Sequence, residues 1–378
     1  DIGGQAYLKA ESLQKAGSFK IRGAYNKISQ LSRAERERGV IAASAGNHAQ
    51  GVALAAQLLG VKATIICPEF APLTKINATK AFGADVILQG SILDESIAYS
   101  RELAERHGYT MVHAFDDESI IAGQGTIGLE ILDAVPDIRT VVVPIGGGGL
   151  MSGIATAIKA IRPEVRLVGV QAANSSWVKP SFEAEKPVAA VMTPTIADGI
   201  AVKKPGEVTL PILRELVNEI VEVTDDEIAR GIFFASQNNR LVVEGGGAAT
   251  LGAVLAAKVE VDSDDKVCIV LSGGNIDANL LARVLEQVLV RQGRYILIKI
   301  LVLDRPGMLA GLLNSVAEAG ANVIEVFHRR AMWLAPLGRV GIEMLLEVRD
   351  NQHGRDVQTH LEEAGYHVER EGHGDWAP

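Results

Sequence analysis

The amino-acid sequence predicts an α/β protein of two open parallel-sheet α/β domains, followed by a smaller βαββαβ module. Three observations carry that expectation. Short apolar runs alternate with helical patterns up to about residue 290, the pattern of parallel strands joined by crossover helices. Runs such as TVVVPI at 140–145 and VCIVLS at 267–272 are apolar without interruption, as strands covered on both faces are. Beyond residue 290 the period shortens, and YILIKILVLD at 295–304 follows a repeat of two, which suits a strand with one covered face.

The elements follow in order. QAYLKAE at 5–11 opens as a strand, and a helix runs from Lys20 toward Tyr25 and Ile28. Strands are expected over 40–43, 63–67, 85–88, 140–144, 166–171 and 267–271, with helices over 49–59, 73–82, 91–107 and 151–161. A helix over 281–292 and the linker RQGR lead to a strand at 295–304 and a turn at 305–307. Then come a helix over 308–319 ending at Gly320, strands over 322–330 and 339–348, a helix over 355–364 and a strand over 366–371. That order is the ferredoxin-like layout. Five of the eight histidines fall in this tail at irregular spacing and without cysteines, so they are expected to be solvated and no metal site is expected.

Bulk properties narrow the function classes. A chain of 378 residues exceeds one ordinary core. Hydrophobic residues at 48% and charged residues at 22% describe a globular protein, and no apolar run reaches the length of a membrane span. Aromatic content of 4%, a net charge of -9 and the lack of a basic stripe argue against a nucleic-acid partner. Cys67 and Cys268 sit in apolar, strand-like runs, so both are expected as reduced core residues in a cytoplasmic protein. No signal or transit segment opens the chain, yet it starts at Asp1 without methionine, so a segment upstream is expected.

Four polar or glycine-rich turns carry the chemistry. Lys20 follows Gly17, Ser18 and Phe19 in a tight turn; an amine there becomes a nucleophile only if burial or a nearby positive charge removes its proton. Gly146, Gly147, Gly148 and Gly149 follow a buried strand and precede a helix, where backbone N–H groups and the helix's positive end take a phosphate. A glycine-rich connection without a ligand is the plain alternative. Dinucleotide binding would need an acidic residue after the next strand, but VRLVGVQ ends in Gln171, Ala172 and Ala173. Ser44, Ala45, Gly46, Asn47 and His48 stand at another strand-to-helix junction, and Ser272, Gly273, Gly274 and Asn275 at a further one. Either set can cap a helix or hold a small polar ligand. All lie where open α/β sheets bind ligands.

The ordered set SFKIRGAYN, SAGNHAQGVA, GQGTIGLE, PIGGGGLMSG, TIADGIAV, VVEGGGAA and LSGGNID resembles the threonine dehydratases (threonine ammonia-lyases) over about residues 5–290. These are fold-type-II pyridoxal-phosphate enzymes of the tryptophan-synthase-β-like family. The tail resembles an ACT domain, an amino-acid-sensing module, through DRPGMLAGLL and GANVIEV. The resemblance implies a discontinuous cofactor domain over 1–35 and 117–290, a small catalytic domain over 36–116 and an ACT domain over 295–378. It implies pyridoxal 5′-phosphate as cofactor, with Lys20 as the Schiff-base lysine and later the base at the substrate Cα, and Phe19 beside the ring. It assigns Asn47 to the ring 3-oxygen, the main chain of Gly146, Gly147, Gly148, Gly149 and Leu150 to the phosphate, and Ser272 to the ring nitrogen. Ser44, Ala45, Gly46, Asn47 and His48 would meet the substrate carboxylate, with residues 197–199 and Glu244 lining the site. The substrates implied are L-threonine and L-serine, in isoleucine biosynthesis or threonine breakdown.

The departures from the family pattern are informative. ENLQxTGSFK appears as ESLQKAGSFK, with Ser12 and Ala16 substituted at positions without chemistry. Related serine racemases carry a second serine where this chain has Ala45, and a metal-binding glutamate where it has Gln171. A racemase or a β-replacing synthase on the same scaffold, and a non-catalytic sensor, are the competing readings. An effector such as isoleucine or valine would bind near Gly307, Met308 and Leu309, with Asn322 facing them, often across a subunit pair of a homodimer or homotetramer.

Overall fold

Two kinds of sheet follow from the two kinds of strand pattern, two parallel sheets and one antiparallel. The computed structural model describes residues 4–329 and 336–371, in two units, Asp1–Leu280 and Leu281–Pro378. Among the described residues no helix is long and apolar enough to cross a membrane.

The first unit begins with β1 (Gln5–Ala10), α1 (Lys20–Ser29) and α2 (Arg33–Arg38). The contiguous stretch that follows runs β2 (Val40–Ala43), α3 (Asn47–Leu59), β3 (Ala63–Cys67), α4 (Leu73–Ala81), β4 (Asp85–Leu88), α5 (Leu93–His107) and β5 (Thr110–Met111). Its four strands form a sheet in the order β4-β3-β2-β5, every pair parallel. Helix α6 (Glu118–Ala134) leads to β6 (Thr140–Pro144), α7 (Gly149–Ile161), β7 (Arg166–Ala172), α8 (Val178–Ala184), α9 (Thr209–Leu216) and β8 (Glu219–Val223). After α10 (Asp225–Asn239) and α11 (Gly245–Leu255), β9 (Lys266–Leu271) completes the second sheet, β1-β9-β6-β7-β8, also parallel throughout.

The uninterrupted apolar runs are the central strands: every residue of β6 is buried, and so are five of the six residues of β9. Cys67 and Cys268 are free and buried, as their apolar runs imply. Several helices begin earlier than apolar periodicity indicates. α3 starts at Asn47 rather than 49 and α7 at Gly149 rather than 151, because polar and glycine residues fill their first turns and erase the pattern there. Helix α5 starts later, at Leu93, since Ser91 is held outside it by the Glu95 carboxylate, 2.7 Å from the Ser91 N–H.

Helix α12 (Ala278–Arg291), most of it in the second unit, leads into β10 (Tyr295–Leu303), α13 (Met308–Glu318), β11 (Asn322–Arg329), β12 (Arg339–Glu347), α14 (Asn351–Glu363) and β13 (Val368–Glu371). The order is βαββαβ, and the sheet runs β11-β12-β10-β13 with every pair antiparallel. Ile296, Ile298, Ile300 and Val302 are the covered face of β10. Helix α14 begins four residues before the expected 355, because the Asp350 carboxylate accepts the His353 N–H at 2.8 Å and caps it. His353 corrects the expectation of solvated histidines in this tail. It is buried, with Nε2 2.9 Å from the Ala319 carbonyl and Nδ1 accepting the Arg349 N–H at 3.1 Å. Arg330, the expected last residue of a strand, and His373 lie outside the described residues.

Candidate active site

Lysine 20 is presented by two chain segments that lie side by side. The Phe19 N–H donates to the Ser272 carbonyl at 3.1 Å, the Gly274 N–H donates to the Gly17 carbonyl at 2.8 Å, and Ser18 bridges Gly273. The turn before α1 is thereby stitched to the turn after β9. Helix α3 crosses α1 at Gly51, where a Cβ would lie 2.9 Å from the Lys20 carbonyl carbon; only glycine permits that approach. The Lys20 Nζ donates to the Ala114 carbonyl at 2.7 Å and stands 5.1 Å from the Phe19 ring centre. Burial lowers its pKa from the ordinary lysine range to about 8, with the Glu244 carboxylate opposing the shift. An ammonium stripped of water is disfavoured, so the fold itself prepares a neutral amine.

Two histidines near this lysine stay uncharged. Burial, then the Lys20 charge, pushes His48 down to about 3, and its Nε2 lies 2.8 Å from the Val112 carbonyl. Burial also lowers His113, whose Nδ1 accepts the Asp116 N–H at 2.8 Å. Its neutral ring therefore carries the proton on Nε2.

Asn47 is the first residue of α3, and neither it nor Ser44 caps that helix. The Ser44 hydroxyl instead accepts the Gly46 N–H at 3.1 Å. The Asn47 Nδ2 donates to Glu244 Oε1, and its Oδ1 accepts from Asn275 Nδ2 at 2.8 Å. Asn275 also donates to the Ala16 carbonyl at 2.9 Å. Glu244 is buried and its pKa is raised to about 7 by burial, then by the Asp198 charge, with the Asn47 hydrogen bond pulling the other way. Asp198 pairs with Lys75 of α4 at 2.6 Å, across from the other sheet.

The glycine turn lies next to this group. Ala114 receives the lysine, and the following residue, Phe115, covers the turn: a Cβ on Gly147 would fall 2.5 Å from the Phe115 ring. Gly148 has φ +98, a left-handed conformation that favours glycine. Among the described residues no hydrogen bond takes the N–H of Gly147, Gly148, Gly149 or Leu150, although all four residues are buried. Ser272 is buried too, and its hydroxyl makes only a long 3.4 Å contact with the Gly246 carbonyl.

The structure thus gathers Lys20, Phe19, Asn47, Ser272 and the turn from Gly146 to Leu150 around one place. Sequence reasoning missed Ala114 and Phe115, which no local motif marks. Gln171, buried near the end of β7, spends its Oε1 on Ser176 Oγ at 3.1 Å and Val178 N–H at 3.2 Å.

In the second unit, Gly307, Met308 and Leu309 line a cavity of about 400 Å3 with Asp304, Arg305 and His328. Within one chain Asn322 does not face them, which corrects that part of the expectation. Asn322 is in register with Glu347, itself opposite Tyr295 at the start of β10, and its Nδ2 lies 3.3 Å from Glu347 Oε2. The cavity lies at the other end of β10, beyond Leu303.

The chain is similar to several known proteins. The L-threonine ammonia-lyase of Thermotoga maritima is 50% identical over 366 residues, 97% of this chain and 91% of that protein. Its counterpart in Geobacter sulfurreducens is 46% identical over 97% of this chain and 91% of its own length. Among solved structures, the processed form of threonine deaminase isoform 2 from Solanum lycopersicum superposes with a TM-score of 0.71 at 39% identity, covering 75% of this chain and 79% of that one. Maize serine racemase superposes with a TM-score of 0.71 at 36% identity, covering 77% and 90%. The family model described as "Pyridoxal-phosphate dependent enzyme" matches residues 1–273. This chain is a member of that pyridoxal-phosphate dependent enzyme family.

Proposed function

We propose that the protein eliminates water from L-threonine, and from L-serine, giving 2-oxobutanoate or pyruvate together with ammonia. The observation that carries this reading is a buried lysine whose pKa is lowered to about 8 beside a turn of unpaired backbone N–H groups. Those orphaned donors fit a phosphate, since buried N–H groups without partners are rare unless a ligand supplies them. Lys20 would hold the cofactor's aldehyde carbon, Asn47 its ring oxygen, Ser272 its ring nitrogen and residues 146–150 its phosphate, with Phe19 beside the ring. Pyridoxal phosphate, when bound, supplies an electron sink for negative charge developing at the substrate Cα.

The remaining work falls to side chains of the chain. Ser44, Ala45, Gly46 and His48, with the first turn of α3, orient the substrate carboxylate through N–H groups and the helix's positive end. Once free, the neutral Lys20 Nζ takes the Cα proton and gives it to the departing β-hydroxyl, which leaves as water. Ala45 has no proton to return to the opposite face of Cα, which supports elimination over racemisation. The unsaturated amine released loses ammonia to water.

Four further statements rest on the same reading. Residues 1–35 with 117–290, and residues 36–116, act as the two catalytic domains. Residues 295–378 act as an ACT domain whose cavity at Gly307, Met308 and Leu309 takes an amino acid such as isoleucine or valine. Asn322 completes that site from a second subunit, in a homodimer or homotetramer. The protein works in the cytoplasm. Release of 2-oxobutanoate from L-threonine, set against D-serine formation from L-serine, tests the main reading: D-serine as the dominant product would replace it. A threonine saturation curve unaltered by any amino acid would remove the effector.

A further inference from the structure

We propose that Trp177 and Thr209 are positioning residues of the glycine turn, holding two of its carbonyls from outside so that the N–H groups of Gly147 and Gly148 are aimed at a phosphate monoester. The inference rests on the cofactor reading above and extends it to residues that would touch neither cofactor nor substrate.

The Trp177 indole Nε1 donates to the Gly146 carbonyl at 2.8 Å, and the Thr209 hydroxyl donates to the Gly147 carbonyl at 2.7 Å. Among the described residues no peptide bond is cis. In a planar trans peptide the N–H points opposite to the C=O of the same unit. Fixing the Gly146 and Gly147 carbonyls therefore directs the Gly147 and Gly148 N–H groups away from Trp177 and Thr209, and these are among the donors left without partners. Both anchors are completely buried. The direction of the Thr209 hydroxyl is itself set, because its oxygen accepts the Gly206 N–H at 3.0 Å and its proton is left for Gly147.

The anchors come from segments outside the turn. Trp177 immediately precedes α8, and Thr209 begins α9. The start of α9 is in turn tied to the segment that receives Lys20, since Asp116 accepts the Glu207 and Val208 N–H groups, each at 2.9 Å. A run of four glycines has more backbone freedom than any other tetrapeptide. Without anchors, its ordering would oppose ligand binding; with them, the donors are set beforehand.

The test compares pyridoxal phosphate with pyridoxal, which lacks the phosphate, by equilibrium titration of the cofactor-free chain. Thr209→Val keeps the side-chain shape and removes the donor, Thr209→Ser keeps the donor, and Trp177→Phe removes the indole N–H. The preference for pyridoxal phosphate over pyridoxal should fall about ten-fold in Thr209→Val and Trp177→Phe and be retained in Thr209→Ser. An unchanged preference in Thr209→Val overturns the proposal. So does an equal loss of both ligands, which marks a purely structural role. If Trp177→Phe does not fold, the two Thr209 variants decide alone. A wild-type chain with no preference at all overturns the cofactor reading instead, and does so before any variant is made.

Discussion

Glu244 accepts a hydrogen bond from Asn47 across 197 positions of sequence, and this contact joins the helix after β2 to the helix before β9. Its carboxyl titrates at about 7 where it sits, so between the ordinary carboxylate value of 4.5 and 7 the folded chain retains a proton that the unfolded chain has lost. Stability from this group is full below 4.5 and lost as pH rises through 7. Glu244→Gln should remove that decline, so the wild-type urea midpoint should drop relative to the variant between pH 5 and pH 8. A constant difference between the two across this range would show that the carboxyl is not protonated there.

Lys20 gives the opposite dependence in a different window. Its lowered pKa of about 8 makes the neutral, nucleophilic amine available above that pH. Capture of added pyridoxal phosphate should accelerate about five-fold from pH 7 to pH 8 and level off above pH 9. A rate still climbing ten-fold per pH unit at pH 9 would indicate a lysine of ordinary basicity.

How far the sequence foretold these features depends on distance along the chain. The strands at 63–67 and 140–144 are where their apolar runs place them, since burial on both faces needs nothing beyond local composition. β8 carries Glu219 and Glu222 three positions apart among Ile220, Val221 and Val223, so a period of two is broken and the strand hides among loops. Lys20 is conspicuous only through the motifs around it; its desolvation comes from packing that no neighbour in sequence announces. Ala114 offers only a backbone carbonyl, and a carbonyl carries no residue-type signal at all. The place of Asn322 within one chain has a similar origin. Composition marks it as a polar residue after a glycine turn, while strand register alone decides which end of the sheet it occupies.

Gly148 tests the glycine turn directly. Its φ of +98 strains any other residue, and a Cβ there would lie 2.9 Å from the Thr209 Oγ1 and a Leu213 methyl carbon. Gly148→Ala should cost about 1–3 kcal/mol in thermal or urea stability and weaken pyridoxal-phosphate binding in the same titration. Wild-type stability in the variant would mean that the turn relaxes freely.

Arg22 secures α1 from the face opposite its reactive neighbour. Its guanidinium reaches both oxygens of Glu11 at 2.8 and 2.9 Å, both oxygens of Glu130 at 2.6 and 2.7 Å, and the Thr126 hydroxyl at 3.0 Å. Glu11 is only 1% exposed. Arg22→Met would leave that carboxylate buried with far less compensation and should destabilise the chain by about 3–5 kcal/mol, read as a lower urea midpoint. Arg22→Lys should recover part of the charge but not the forked geometry.

Strand β1, formed by Gln5–Ala10, pairs with β9 (Lys266–Leu271) at the edge of the second sheet. During synthesis from the amino end, residues 40–111 can assemble their own four-strand layer as soon as they leave the ribosome, because its members are neighbours in sequence. The lysine turn, already translated, must wait for more than two hundred further residues before Ser272 arrives to lock it in place. On the function proposed above, catalytic competence is therefore among the last properties a nascent chain acquires, and a truncated translation product carries Lys20 without the wall that buries it.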